Sequence, residues 1–449
     1  MHVRSEAKFK RRRAIVAGAL AVVLAGSLTA CLTTGDDDAD NTPAAQTGTA
    51  GDDAATTSGG AAEGFKNATG GGKGADSDPG SDADSESATA PDDAEVSEAP
   101  VAGPPPIPSA ESYMERVDYI TGGITPKSVV ASNAGLVIAN NMMYSHTSTV
   151  YDAESRELVK TLSDEVVPSE LGVEGHPGTA KGSPVEAAWT DDGKYAYVSQ
   201  YTMYGESFGK EGFDACTPAD GVGPSLLYRF NAETMDWDQA IEVGAVPKYV
   251  DITPDQKTIL VSNWCDSTIS VVDVETAQEV KTIPIAAAPR GIEVLPDNRT
   301  AYVAAMYADK LFKVDLETGE SEVMMETGRK PRHLNLSADG KYLFMAVSGN
   351  DTIYKIDTET EEIVDQVESG REPRSMILSS DGTALYVVNY YEPSVAKIST
   401  EDMEVLQKEP TDANPIGITY EPVTHTVWVA CYGGSIYVFD DTLASDPDA

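Results

Sequence analysis

A basic residue directly follows a proline at five places in this chain: Lys127, Lys248, Arg290, Arg332 and Arg374. Over 449 residues the formal net charge is −41, so a positive charge repeated in one context needs a physical reason. Cations converging from several strands could hold a carboxylate, phosphate or sulfate through charge-assisted hydrogen bonds. Alternatively, each pairs with an acid or carbonyl of its neighbour and simply welds the fold. We weigh that structural reading first, and the two are compatible. Glu186 and His333 lie two residues after Pro184 and Pro331 and are the candidate acid–base groups of an enzymatic alternative. No nucleophile–base pair can be read from spacing. A Gly-rich phosphate loop, a Gly-X-Ser-X-Gly elbow and a Cys-X-X-Cys-His haem motif are all absent from the sequence.

The elements that must position these residues repeat. Pro247, Pro289, Pro331, Pro373 and Pro415 are each 42 residues apart, and Pro184 and Pro126 precede them at spacings of 63 and 58. Each of the seven units contains short stretches of period-2 alternation bounded by turn residues, a strand signal. "TDDGK", "SADGK" and "SSDGT" mark Asp-Gly hairpin turns. Asp152, Asp273, Asp315 and Asp357, at position Pro+26, open the next turn and lack the spacing of a calcium loop. Four strands in about forty residues predict an all-β fold, a seven-bladed β-propeller of four-stranded antiparallel blades. The segment 114–121 precedes Pro126 where other units keep a fourth strand, so it is expected to complete the last blade.

"YVSQ" (197–200), "LVSN" (260–263), "YVAA" (302–305), "YVVN" (386–389) and "WVAC" (428–431) all begin at Pro+13. With the Pro-Arg and Asp-Gly pairs, they resemble the YVTN (YncE-like) family of propellers over about residues 115–441. "FMAV" (344–347) keeps the register with altered letters, and the first unit, "VIAN" (137–140), is expected to run two residues early. The resemblance implies a fold much more than a function. Extra residues fall within 163–183 and 201–224, on the rim that carries the fourth-to-first and second-to-third strand loops. We call this rim the top. Long excursions in a compact repeat array point to the working face. The cations are expected at the channel mouth there, with Tyr144, Tyr201, Tyr204, Trp264, Tyr307, Tyr390, Tyr391 and Tyr432 on the loops as a candidate aromatic binding floor.

Cys216 in the second excursion and Cys265 in the matching loop of the next blade are the candidate disulfide, leaving Cys431 over. His146, His176 and His333 map to the top and His425 to the lower side; isolated histidines of this kind predict no metal site, and no cofactor is expected.

Residues 1–30 read as a secretory signal with a basic leader, and Leu28-Thr29-Ala30-Cys31 resembles a bacterial lipobox that would acylate Cys31. Residues 31–108 form an acidic tether poor in bulky apolar side chains, expected to be disordered and to average roughly 50 Å end to end. The propeller is expected over 109–441, followed by a short tail at 442–449. The remaining charge of the folded part, near −32, disfavours nucleic acid and anionic lipid surfaces. These features together predict a monomeric propeller held at the outer face of the cell membrane through its lipid alone. Its expected role is to bind an extracellular protein, a glycan or a small anionic ligand, with a lactonase- or lyase-type enzyme as the alternative.

Overall fold

The strands organise into seven four-stranded antiparallel sheets and one two-stranded ribbon, Glu165–Val166 with Ala180–Lys181. The structure, a computed structural model, describes residues 102–444; the signal, Cys31, nearly all of the tether and the last residues of the tail lie outside it. Each innermost strand packs beside the innermost strands of both neighbouring blades, and the seventh meets the first. The protein is therefore a closed seven-bladed β-propeller.

Blade four shows why this sequence builds a blade. Pro289–Val294 lies innermost, followed outward by Thr300–Ala305, Lys310–Asp315 and Glu320–Glu326. Tyr302, Ala304 and Leu311 point to blade five, against Leu334, Leu343 and Met345. The alternate residues Ala301, Val303 and Phe312 point to blade three, against Leu260, Ile269 and Val271. The middle strands are thus apolar on both faces, and one cluster of this kind fills each of the seven gaps between neighbouring blades. Each large side chain so buried contributes roughly 1.5–3 kcal/mol. Ile292, Val294 and Leu334, at Pro+3 and Pro+5, are buried in these clusters.

The turns follow the expected chemistry. Gly193, Gly340 and Gly382 of the Asp-Gly pairs take φ values of 68°, 73° and 69°. Asp152, Asp273, Asp315 and Asp357 each accept a backbone N–H three residues on, which closes the next turn. A second polar feature recurs at the end of strand two. Asn141, Asn263 and Asn389 donate from their amides to Thr149, Ser270 and Ser394 of strand three, at 3.2, 2.8 and 3.2 Å. In blade one the counterpart is therefore Asn141 and not Asn140 of "VIAN". Val129 faces Ala139 where Val250 faces Val261, so that unit runs one residue early, not two. The tight four-residue turn between its first two strands accounts for the missing residue.

Ring closure uses the N-terminal segment. Tyr113–Ile120 pairs antiparallel with Ser435–Leu443 and becomes the outer strand of blade seven. Met114 is fully buried between blades six and seven, and its backbone N–H and C=O both bond the Gln407 amide at 2.8 Å. Lys397 lies beneath, wholly buried; its ammonium donates to Asp441 at 2.6 Å and to the Ser112 carbonyl and hydroxyl at 2.8 Å. Lys313 and Lys355 occupy the matching place in blades four and five and reach Glu361 and the Thr400 carbonyl of the next blade, both at 2.6 Å. Asp441→Ala strands a buried ammonium and is expected to cost about 3–5 kcal/mol. Thermal denaturation should show a midpoint roughly 5–10 °C lower, and an unchanged midpoint would mean that the clasp contributes nothing.

Candidate functional site

The residue before the proline sets the geometry of the top. Val246, Ala288, Lys330, Glu372 and Asn414 all have left-handed backbones, with φ between 53° and 60°. For β-branched Val246 this is a true outlier. The carbonyl of each accepts the N–H of the residue that opens the second-to-third strand loop: Trp264, Met306, Ser348, Tyr390 and Tyr432. The strained turn thereby ties the loops carrying the aromatic residues to the start of the innermost strand.

The cations at the next position are mostly committed. Lys248 is buried and donates to Asp214 of the second excursion at 2.8 Å, with its ammonium 4.2 Å from the Tyr201 ring centre and 5.1 Å from that of Trp264. Arg374 grips the Glu372 carboxylate at 2.8 and 2.5 Å and lies 3.4 Å over the Tyr390 ring. Arg332 shares the same carboxylate at 3.6 Å. Arg290 stacks toward Trp264, and Lys127 is buried. The repeated charge thus finds local counter-charges, Asp214 and Glu372, which spacing alone does not connect to it.

The candidate aromatics divide into two groups. Trp264 and Tyr390 are buried, and Tyr201 and Tyr432 half-buried. Tyr144, Tyr204, Tyr307 and Tyr391 are exposed, on blades one, two, four and six. The excursions interlock: Lys181 pairs with Tyr204, and Val166, Val173 and Ala180 pack against Met203 and Tyr228. Cys216 and Cys265 are disulfide-bonded with Cα atoms 5.2 Å apart, joining the second excursion to blade three; Cys431 is a buried free thiol. The histidines stay apart. His146 lies 3.8 Å from Asp164, His176 bonds Ser207 and Glu242 at 2.8 Å, His425 approaches the Tyr420 hydroxyl at 3.3 Å, and His333 faces the channel.

Below the cations, the channel concentrates groups that the sequence reading left mostly unassigned. Glu186 is pushed above the usual carboxylate range by burial, against the pull of Lys127 and Arg290. Burial and the cations Arg290, Lys127 and Arg332 hold His333 down to about 3, so its ring is neutral at physiological pH. Its Nδ1 is buried without a hydrogen-bond partner, and Tyr249 meets it edge-on at 5.2 Å. Two residues further down the strands, burial raises Asp251 to about 7, and burial together with Asp251 raises Glu293 well above its ordinary value. Next comes Asn335, whose Oδ1 is also buried without a partner. The available signal was the polar residue at Pro+4 in "YVDI", "IEVL" and "LNLS", on the strand face opposite the apolar Pro+3 and Pro+5. Among the described residues no three His, Cys, Asp or Glu side chains stand together as metal ligands.

No family profile matches the chain, and neither does any curated protein. Among solved structures it is similar to a chain of Kuenenia stuttgartiensis hydrazine synthase, with a TM-score of 0.54 and 16% identity over 72% of this chain and 98% of that one. That likeness is one of fold.

The acid pair gives stability a pH dependence of definite sign. Raised folded-state values mean that the native protein holds protons that the unfolded chain releases; for Asp251 this contribution is present below about 4 and is lost as pH rises through about 7. In chelator-containing buffer, Asp251→Asn should gain on wild type in melting temperature between pH 5 and 8. A constant difference between the two melting curves would refute the burial of this charge.

Proposed function

We propose that the chain is an exported, YVTN-type propeller, acylated at Cys31 and displayed by its acidic tether, which binds a partner through the top face. The single observation that carries this reading is the set of exposed tyrosines Tyr144, Tyr204, Tyr307 and Tyr391, contributed by four blades to one rim. Tyrosine offers broad amphipathic contact at low cost in side-chain entropy, which suits a glycan or a protein surface. The pairing of Lys248, Arg332 and Arg374 with Asp214 and Glu372 makes those cations part of the scaffold, so a purely anionic ligand is the weaker choice. The strained turns and the disulfide hold the rim loops in place, which limits the ordering that binding must impose.

The second reading is an enzyme at the channel mouth. Its support is that Glu186 and His333, from blades two and five, both lie within the influence of Lys127 and Arg290. A neutral imidazole and a carboxyl raised by burial are a fitting acid–base pair. Turnover of lactones that disappears in Glu186→Gln would favour it.

The decisive test replaces Tyr144, Tyr307 and Tyr391 together with Ala and measures binding to arrayed glycans and to envelope proteins. Because these side chains are exposed, melting should stay nearly unchanged while affinity falls by at least about tenfold. Retention of every bound ligand would sink the aromatic-face reading.

A further inference from the structure

A row of side-chain oxygens crosses three consecutive blades inside the channel. Asp251, Glu293 and Asn335 each occupy Pro+4 on neighbouring innermost strands, roughly 10 Å below the level of the Pro+1 cations. Their three strands pack side by side around the axis. The Asp251 carboxylate accepts the N–H of Ile252 at 2.9 Å and lies near the N–H of Val294, the residue after Glu293. The Glu293 carboxyl lies near the Leu336 N–H and the Asn335 side chain of blade five, both of which favour its charged form. Repulsion from Asp251 adds to burial in raising Glu293.

The Asn335 side chain supplies an independent observation. The residue is only 7% exposed, and its Oδ1 is a buried acceptor with no donor. Orphaned buried acceptors of this kind are rare and costly, and each asks for an unseen partner. A single proton on the acid pair can serve only one acceptor at a time. A cation would satisfy all three at once. Two carboxylates plus a neutral amide oxygen, with no thiolate or imidazole in the set, are the donors preferred by a hard, oxygen-seeking ion that completes its shell with water. Zinc and copper are poorly served by them.

We infer that the channel holds a calcium-class cation between Asp251, Glu293 and Asn335, bound by the two carboxylates and the Asn335 amide oxygen. The site joins blades three, four and five beneath the rim, and it stands whether or not the exposed tyrosines bind a partner. Its loading would stiffen the part of the ring where strand-to-strand repulsion is greatest.

The test uses the full chain, stripped with chelator and titrated with CaCl2 at neutral pH, reading calorimetric uptake and melting temperature. The tether and outer surface are acidic, so weak background uptake is expected, and variants separate it from the channel. Wild type should show one saturable step with a rise in melting temperature. Asp251→Asn and Glu293→Gln should each weaken that step by at least about tenfold. The exposed double variant Glu362→Gln with Asp365→Asn should keep it. Glu293→Gln removes a buried repulsion, so in chelator it should melt at or above wild type, which shows that folding is intact. Absence of a saturable step in wild type would overturn the inference, as would a step that survives unchanged in both channel variants.

Discussion

The whole molecule depends on one closure. Blades six and seven meet the N-terminal strand around a buried ion pair, Lys397 with Asp441, whose remaining hydrogen-bonding capacity is taken up by Ser112 and the Tyr386 hydroxyl. Burial acts against both charges, lowering Lys397 and raising Asp441. Such a pair offers little net stability, but any arrangement that separates it is penalised heavily. It therefore selects the register of the clasp. With the ring shut, every blade has two neighbours, and the middle strands can afford to be apolar on both faces.

Closure in turn crowds the axis. The innermost strand of each blade has an edge with no strand beside it, and its backbone groups must be met by other means. At Pro+4 the Thr419 hydroxyl does this for the Ala131 N–H at 3.0 Å, and Asp251 and Glu293 lie near the N–H groups of Val294 and Leu336. Ser375 works in the other sense, donating to the Ile416 carbonyl at 2.6 Å. Gly291 and Gly417 mark the closest approaches, since a Cβ there would lie 2.8 Å from the Arg332 carbonyl oxygen or the Ser128 Cα. The carboxylates are consequently both seams between blades and walls of the channel, and their chemistry cannot be separated from their structural duty.

What was legible in the sequence followed from periodicity. Forty-two-residue spacing, two-residue alternation and Asp-Gly turns specify the blades because they act locally, within one repeat. The clasp and both excursions could be placed for the same reason, as departures from a period. The counter-ions were beyond that reach. Asp214 comes from an irregular loop, and the place before the proline that Glu372 fills holds Val246, Ala288, Lys330 or Asn414 in other blades, so no acid repeats along with the cations. Nor did alternation disclose the channel. It identifies which face of a strand is apolar, and is silent on whether the other face meets solvent or six companion strands.

That last distinction decides how the charge of the protein should be understood. An acid on the outer strand of a blade sits in water, and its repulsion from its neighbours is screened. Asp251 and Glu293 have less of that screening, and burial makes both hold their protons to higher pH than an acid in water. Lys248, Arg332 and Arg374 pair with Asp214 and Glu372, and Lys127 and Arg290 act on Glu186 and His333, so none of the arc offsets Asp251 or Glu293. Two tiers of opposite character therefore share one channel: a neutralised rim that exposes tyrosine, and an acidic level beneath it that lacks a counter-charge. A propeller needing the channel only as filler could place apolar residues at Pro+4, as Val130, Ala188 and Ile377 show in three other blades. The acids are confined to adjacent blades, which is the arrangement expected of a site and not of a uniform lining.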